Sequence, residues 1–163
     1  MVVTGSQDVR IRPARKADGH EMLALMPRLA DFDVPPTRNP DHLWGHDAEL
    51  LREWLLGRAR DCFVHVAEDR SGTVVGMAMF RLRPELLSDE PSAHLEAIAV
   101  AREAEGKGIA AGLLTNCEKD ARARGALSMT LHVFACNRRA RAFYDRSGYD
   151  GELMRYTKPL VDG

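Results

Sequence analysis

The segment from His94 to Leu114 constrains this chain more than any other, because it has the pattern of a buried strand, a short glycine-containing loop and a helix that begins at once. A junction of this kind directs several backbone N–H groups, and the positive end of a helix dipole, toward one point. Phosphate is the anion that most often binds there. Gly106 and Gly108 would let a ligand lie against the main chain without meeting a Cβ atom. The segment therefore predicts a phosphate-binding loop.

The composition is that of one globular domain. The 163 residues suffice for a single core, with 45% hydrophobic and 29% charged residues. A net charge of -1 argues against a nucleic-acid partner, and the absence of a long apolar run argues against a membrane partner. No signal-peptide pattern opens the chain, and its three cysteines are too few for a disulfide framework. We expect a single cytoplasmic domain over residues 1–163.

Hydrophobic periodicity and turn residues predict the order β-α-α-β-β-β-α-β-α-β. The predicted strands cover residues 8–12, 62–68, 73–82, 95–100, 128–134 and 151–158. The predicted helices cover residues 18–30, 46–58, 109–124 and 137–147. Asp18 and Asn137 are placed to cap helices, and Gly125 and Gly148 to end them. This order predicts an α/β protein with a mixed sheet and helices on both of its faces.

Two common phosphate loops do not fit the segment. A P-loop requires G-x-x-x-x-G-K-[ST], but Lys107 is followed by Gly108 and no glycine lies five positions before Gly106. A dinucleotide-binding loop requires an acidic residue about 20 positions on, at the end of the next strand. Residues 132–137 at that place contain no carboxylate.

A third kind of loop fits. The sequence Val100-x-x-x-x-Glu105-Gly106-Lys107-Gly108-Ile109-Ala110 resembles the acetyl-CoA loop of the GCN5-related N-acetyltransferases (GNAT), Q/R-x-x-G-x-G/A. Downstream, Asn137-x-x-Ala140-x-x-Phe143-Tyr144-x-x-x-Gly148-Tyr149 resembles the second signature of that family. The resemblance extends over roughly residues 8–159. It implies the GNAT fold, whose mixed sheet is mostly antiparallel, and acetyl-CoA as co-substrate without a metal.

The resemblance also implies how acetyl-CoA is held. The pyrophosphate would bind the N–H groups of Gly106, Lys107, Gly108, Ile109 and Ala110. The pantetheine arm would pair with the strand edge at Ile98 and Val100, where a family bulge opens the sheet. Glu105 occupies a cofactor-binding position of the family that acts largely through its backbone, but it departs from the family's Gln or Arg. Its side chain either turns to solvent or weakens cofactor binding. Asn137 either contacts the cofactor or only caps its helix.

Two residues are the candidates for acid–base chemistry. Tyr144 occupies the family position beside the thioester sulfur, where a phenol would protonate the departing thiolate. Glu96 lies within an apolar strand segment, where a carboxylate without a role or a partner is costly. We expect Glu96 to accept the proton of the amine. Strict alternation would place it on one strand face with His94 and Ile98.

The sequence leaves the acceptor open. The family shapes the acceptor pocket with the first two helices and their connection, where Asp31, Asp33, Asp41, Asp47, Glu49 and Glu53 outnumber Arg28, Arg38 and Arg52. This excess favours a small cationic amine. Peptide or protein N-terminal acetylation, and CoA binding without catalysis, are the alternatives. His42 and His46 lack a third ligand in any known metal pattern, and homodimers are frequent in the family.

Overall fold

The computed structural model describes residues 8–161. Its five-stranded sheet has the strands in sequence order: β1 (Val9–Pro13), β2 (Cys62–Asp69), β3 (Val74–Pro84), β4 (Pro91–Val100) and β5 (Met129–Leu131). Neighbouring strands are antiparallel except β4 and β5, which are parallel. The predicted mixed, mostly antiparallel sheet is therefore confirmed.

Four α-helices accompany the sheet: α1 (Gly19–Leu25), α2 (His42–Leu55), α3 (Ile109–Ala123) and α4 (Arg138–Arg146). The helix predicted over residues 18–30 is divided, because the chain continues from α1 as a 3₁₀ turn, Met26–Ala30. Pro27 lies in this turn and has no N–H to give an α-helical hydrogen bond. Within residues 8–161, no helix is both long and apolar enough to cross a membrane.

The chain divides into two compact units, with the boundary between His132 and Val133. The first unit contains the whole sheet together with α1, α2 and α3, and the second contains α4. A single domain over the whole chain stays a prediction.

The predicted last strand over residues 151–158 is wrong, because the structure has no strand between Gly151 and Val161. Leu153 and Met154 are adjacent, so the apolar residues do not alternate, and both are exposed. A strand also requires a partner for its backbone groups, and the described part of the second unit has no other strand.

Helix α3 packs on one face of the sheet at close range. A Cβ atom added to Gly76 would lie 3.1 Å from both Ile109 and Leu113 of α3. Farther along the helix, Asp120 Oδ2 lies 3.0 Å from His65 Nε2 on β2. The glycine in the sheet lets the first turn of α3 lie against β3, and this contact positions the loop that precedes the helix.

The opposite face of the sheet holds α1 through a buried ion pair. The Arg12 guanidinium donates two hydrogen bonds to the Asp18 carboxylate, at 2.8 and 2.9 Å, and one to Glu68 at 3.0 Å. Asp18 therefore does not cap α1 with its side chain, contrary to the sequence expectation. Arg12 lowers the pKa of Asp18 by hydrogen bonding to its charged form. Helices thus cover both faces, as predicted.

Candidate active site

Glu96 is the extra residue of a bulge in β4. Met79 of β3 pairs with Ala97, and the next residue, Phe80, pairs with Leu95, so Glu96 has no partner in the register. The extra residue reverses the alternation of faces along the strand. Opposed residues of antiparallel strands share a face, so His94, which pairs with Arg81, lies on the face opposite Ile98, which pairs with Ala78. The expected common face for His94, Glu96 and Ile98 is therefore wrong.

The bulge places the Glu96 side chain beside arginines of β3. Arg83 Nη2 lies 3.3 Å from Glu96 Oε1, yet this buried oxygen has no hydrogen bond of acceptable geometry. Burial raises the pKa of Glu96, while the charges of Arg83 and Arg81 lower it and leave a net upward shift. A carboxyl of this kind is poised to exchange a proton nearer to neutral pH than an ordinary glutamate.

A second carboxyl interacts with Glu96. Asp47, in the first half of α2, is half-buried. Burial, and then the negative charge of Glu96, raise the pKa of Asp47 to about 7. The sequence shows Asp47 only as one of several acidic residues near the first two helices, because nothing local to α2 indicates that it interacts with Glu96. We call Glu96 and Asp47 the acidic pair, because both carboxyls are half-buried and the charge of Glu96 acts on Asp47.

Two histidines lie close together: His94 is two residues before Glu96 on β4, and His132 directly follows β5. His94 Nδ1 is 2.8 Å from Thr130 Oγ1, and the rings of His94 and His132 are 4.8 Å apart. Burial, and then the charge of His132, lower the pKa of His94 to about 4. His94 is thus neutral at neutral pH and acts as a hydrogen-bonding group rather than a cation.

The end of β4 has an open edge. β5 pairs with β4 only from Ala93 to Leu95, so no strand among the described residues pairs with that side of β4 beyond Leu95. The N–H of Ala101 donates to Val75 O on β3 at 2.8 Å, so Ile98 and Val100, at alternate positions, direct their backbone groups away from β3. The backbone there has the geometry to receive an extended ligand.

The glycine loop follows this edge directly. Gly106 and Gly108 have φ angles of +74° and +76°, a conformation that L side chains rarely adopt. A Cβ atom on either residue would meet nothing within 4 Å, so space lies open over the loop. The 15-residue helix α3 begins at Ile109, immediately after Gly108, and its first N–H groups face this region. Loop and helix together have a geometry that suits an anion, and the anion site itself stays a prediction.

Glu105 does not turn freely to solvent. It is half-buried, and its carboxylate forms an ion pair with Arg28, a residue of the 3₁₀ turn after α1. Sequence reasoning could not find this partner, because the two residues are 77 positions apart.

The second unit holds the other predicted site residues. Asn137 caps α4, since its side-chain oxygen accepts a hydrogen bond from Ala140 N at 3.2 Å. Tyr144 lies in the last part of α4, and its ring packs edge-on to Tyr149 with centroids 5.9 Å apart. Burial raises the pKa of Tyr144 to about 12, so the phenol keeps its proton at neutral pH.

A family model decides what kind of protein carries these features. The model of the acetyltransferase (GNAT) family matches residues 26–149. This chain belongs to the GNAT family. The GNAT protein is therefore an acyltransferase, and members of its family use acetyl-CoA as co-substrate together with an acceptor. A search of curated protein sequences gives no match.

Solved structures agree with the GNAT fold. An acetyl transferase from Pyrococcus furiosus has a TM-score of 0.76 at 23% identity, over 94% of this chain and 100% of that one. The aminoglycoside 6'-N-acetyltransferase AAC(6')-Ih from Acinetobacter baumannii has a TM-score of 0.68 at 22% identity, over 94% and 99% of the two chains. A ribosomal-protein-alanine N-acetyltransferase from Brucella melitensis biovar Abortus 2308 also has a TM-score of 0.68 at 22% identity, over 93% and 99%. At these identities the likeness establishes the fold alone.

Within the part of the chain that the structure describes, no group of three or more His, Cys, Asp or Glu side chains is arranged to hold an ion.

Proposed function

We propose that this GNAT protein transfers the acetyl group of acetyl-CoA to a primary amine of a small cationic molecule, by direct attack in a ternary complex. The observation that carries this proposal is the acidic pair of Glu96 and Asp47, in which the half-buried Glu96 has an oxygen without a hydrogen bond. An ammonium group would relieve the repulsion and the desolvation of both carboxyls. A neutral or anionic acceptor would relieve neither.

The residues of the loop suit the pyrophosphate of acetyl-CoA. Its phosphates would bind the N–H groups of residues 106–110, over which the two positive-φ glycines leave space. The open edge of β4 at Ile98 and Val100 would receive the pantetheine arm as an added strand. When bound, acetyl-CoA supplies an acetyl thioester as the electrophile.

Glu96 removes the proton from the acceptor. An amine is mostly protonated at neutral pH, so it must lose a proton before it attacks. Glu96 binds the ammonium as a carboxylate and then accepts its proton, directly or through a water molecule. The raised pKa of Glu96 brings its basicity closer to that of the amine than an ordinary carboxylate would offer. Backbone N–H groups beside the bulge stabilise the oxyanion.

Tyr144 donates a proton to the departing CoA thiolate. Its phenol is protonated throughout the neutral range, because burial raises its pKa to about 12. The role rests on the family position of Tyr144, and the protonated phenol supports it. Asn137 caps α4 in the structure, and a contact from Asn137 to the cofactor is part of the same proposal.

Near the first two helices, fewer acidic side chains are available to a cationic acceptor than the sequence suggests. Several of its acidic residues are ion-paired: Asp31 with Arg28 and Arg102, Glu49 with Arg52, and Glu53 with Arg58. The acidic pair of Asp47 and Glu96 therefore carries the preference. A cavity of about 380 Å³ beside the turn after α1 adds nothing to this preference, because Arg28 and Arg102 line it as well as Asp31 and Asp41, and neither member of the acidic pair does.

A thiol-release assay tests this proposal. Acetyl-CoA is offered with polyamines, aminoglycosides, amino acids and short peptides, and CoA binding is measured by calorimetry. We expect release with a small polycationic amine and little with neutral amines. Release with peptides alone would indicate that the acceptor is a peptide or protein N-terminus instead of a small amine. CoA binding without release from any acceptor would favour a CoA sensor.

A further inference from the structure

We infer that Arg28 is a positioning residue for the cofactor loop, where it neutralises Glu105 and ties the loop to the segment that follows α1. This inference rests on the proposed function, because it takes the loop of residues 105–110 to hold the pyrophosphate of acetyl-CoA. Glu105 places a negative charge at a position where GNAT sequences usually have Gln or Arg.

Each branch of the Arg28 guanidinium has its own partner. Nε donates to the backbone oxygen of Val100 at 3.0 Å, Nη1 pairs with Asp31, and Nη2 pairs with the Glu105 carboxylate. The Arg28 side chain is only 19% exposed, so these contacts are partly shielded from water. The planar fork of arginine can serve three acceptors at once, which a lysine cannot do in the same geometry.

The contacts of Arg28 join three parts of the site. Val100 ends β4, and Glu105 begins the glycine loop. Asp31 follows the 3₁₀ turn and also accepts a hydrogen bond from Arg102 at 3.2 Å. Because Arg28 holds the strand end and the loop start together, it fixes the direction in which the loop leaves the sheet.

Charge gives Arg28 its second role. A carboxylate beside a bound pyrophosphate repels it, and this repulsion is stronger where water is partly excluded. Arg28 and Arg102 together balance the charges of Asp31 and Glu105. Loss of Arg28 therefore leaves a net negative charge beside the loop, which weakens its attraction for phosphate.

The test compares four forms of the protein: the wild type, Arg28→Gln, Glu105→Gln and the double variant. Calorimetry gives the Kd for CoA. We expect Arg28→Gln to raise this Kd roughly 10- to 100-fold, because the pair of residues 28 and 105 then carries a net negative charge. Glu105→Gln should bind at least as tightly as the wild type. The double variant, in which the pair is again neutral but the contact to Val100 is missing, should recover part of this loss and bind more tightly than Arg28→Gln.

Rescue by the second substitution separates charge from structure. If Arg28 acted only by bracing Val100, the double variant would stay as weak as Arg28→Gln, and that result would overturn the charge role. An unchanged Kd for Arg28→Gln would overturn the whole inference. Pantetheine, which lacks the pyrophosphate, should bind wild type and Arg28→Gln alike, and an equal loss with pantetheine would also count against the charge role.

Controls distinguish this inference from the proposed function. Arg52→Gln breaks an exposed ion pair with Glu49 on α2 and should leave the Kd unchanged. Thermal unfolding of each variant shows that it is folded. If Arg28→Gln does not fold, the Kd of Glu105→Gln still tests the inference, because weaker CoA binding by this variant would contradict it. If the wild type does not bind CoA, the proposed function itself is wrong. If the wild type binds CoA and the four Kd values are equal, only the role of Arg28 is wrong.

Discussion

Arg83 Nη2 lies 3.3 Å from Glu96 Oε1, across the bulge at which β3 and β4 change register. The arginine partly offsets the desolvation of the carboxyl without forming a well-aligned hydrogen bond with it. The balance between burial and this positive charge sets the proton affinity of Glu96. Because the charge of Arg83 lowers the pKa of Glu96, the role of Glu96 as a base can be tested by changing either residue.

Replacement of Glu96 by Gln should lower kcat about 100- to 10,000-fold, the usual contribution of a general base. The amide cannot accept the proton of the ammonium. In the wild type, the acid limb of the kcat/KM profile should lie above the ordinary glutamate pKa of about 4.3, because the pKa of Glu96 is raised. Steady-state kinetics across pH measure both effects.

Arg83→Gln supplies the complementary test of Glu96. Loss of the positive charge raises the pKa of Glu96 further, so the acid limb should move to higher pH. Glu49→Gln, at an exposed position on α2, should leave kcat and the limb unchanged. An acid limb that stays in place in Arg83→Gln would contradict the assignment of that limb to Glu96.

Asp47→Asn should change how stability depends on pH. The pKa of Asp47 is about 7 in the folded protein and about 3.9 when unfolded, so folding favours its protonated form. The contribution of Asp47 to the free energy of unfolding is complete below pH 3.9 and is lost as the pH rises toward and past 7. The loss is roughly 1.4 kcal/mol for each unit by which the folded and unfolded pKa values differ. The unfolding free energy of wild type minus that of Asp47→Asn should therefore fall between pH 4 and 8. A constant difference, measured by urea unfolding, would contradict the burial of this carboxyl.

Gly106→Ala should strain the loop without a steric clash. Its φ of +74° costs an L residue about 1–2 kcal/mol, although a Cβ atom would meet nothing within 4 Å. The added methyl would occupy the space over the loop, so CoA affinity should fall together with stability. Gly45→Ala near the start of α2, where a Cβ atom also meets open space, should instead stabilise the protein by up to about 0.5–1 kcal/mol. Unaltered CoA binding by Gly106→Ala would remove this glycine from the proposed pyrophosphate site.

Tyr144→Phe should lower kcat roughly 10- to 1,000-fold with little change in the Kd for CoA, because it removes the proton donor and keeps the ring. Packing against Tyr149 is retained, so the melting temperature should change little. Tyr156→Phe, at a side chain that is 86% exposed, is the matched control and should leave kcat and the Kd for CoA unchanged. Full turnover by Tyr144→Phe would exclude the phenol from the mechanism.

Local chemistry made much of the fold predictable from the sequence. Gly125 and Gly148, with φ angles of +95° and +88°, follow the ends of α3 and α4 as expected, because a left-handed residue ends a helix. The mostly apolar runs of β2 and β3, and the strand–loop–helix junction, are likewise properties of short segments. The strand predicted over residues 151–158 is wrong, because a short segment does not show whether a neighbouring strand is present to pair with its backbone.

The site was less predictable, because its decisive contacts join distant segments. The bulge at Glu96 is a mismatch in register between β3 and β4, and neither strand sequence alone reveals it. Asp47 lies on a helix almost 50 residues before Glu96, whose charge raises its pKa. Arg28 and Glu105, which form an ion pair, are 77 positions apart. Sequence patterns identified Glu96 and Glu105 as unusual residues, whereas only the three-dimensional arrangement identified their partners.

The most direct measurement is thiol release from acetyl-CoA by the wild-type protein in the presence of a small polyamine or aminoglycoside, with Glu96→Gln run in parallel. The account predicts saturable release that requires both substrates and falls at least about 100-fold in Glu96→Gln. Equal rates for the two proteins would contradict the role of the acidic pair. A wild type that neither binds CoA nor releases thiol with any amine would contradict the proposed acetyl transfer.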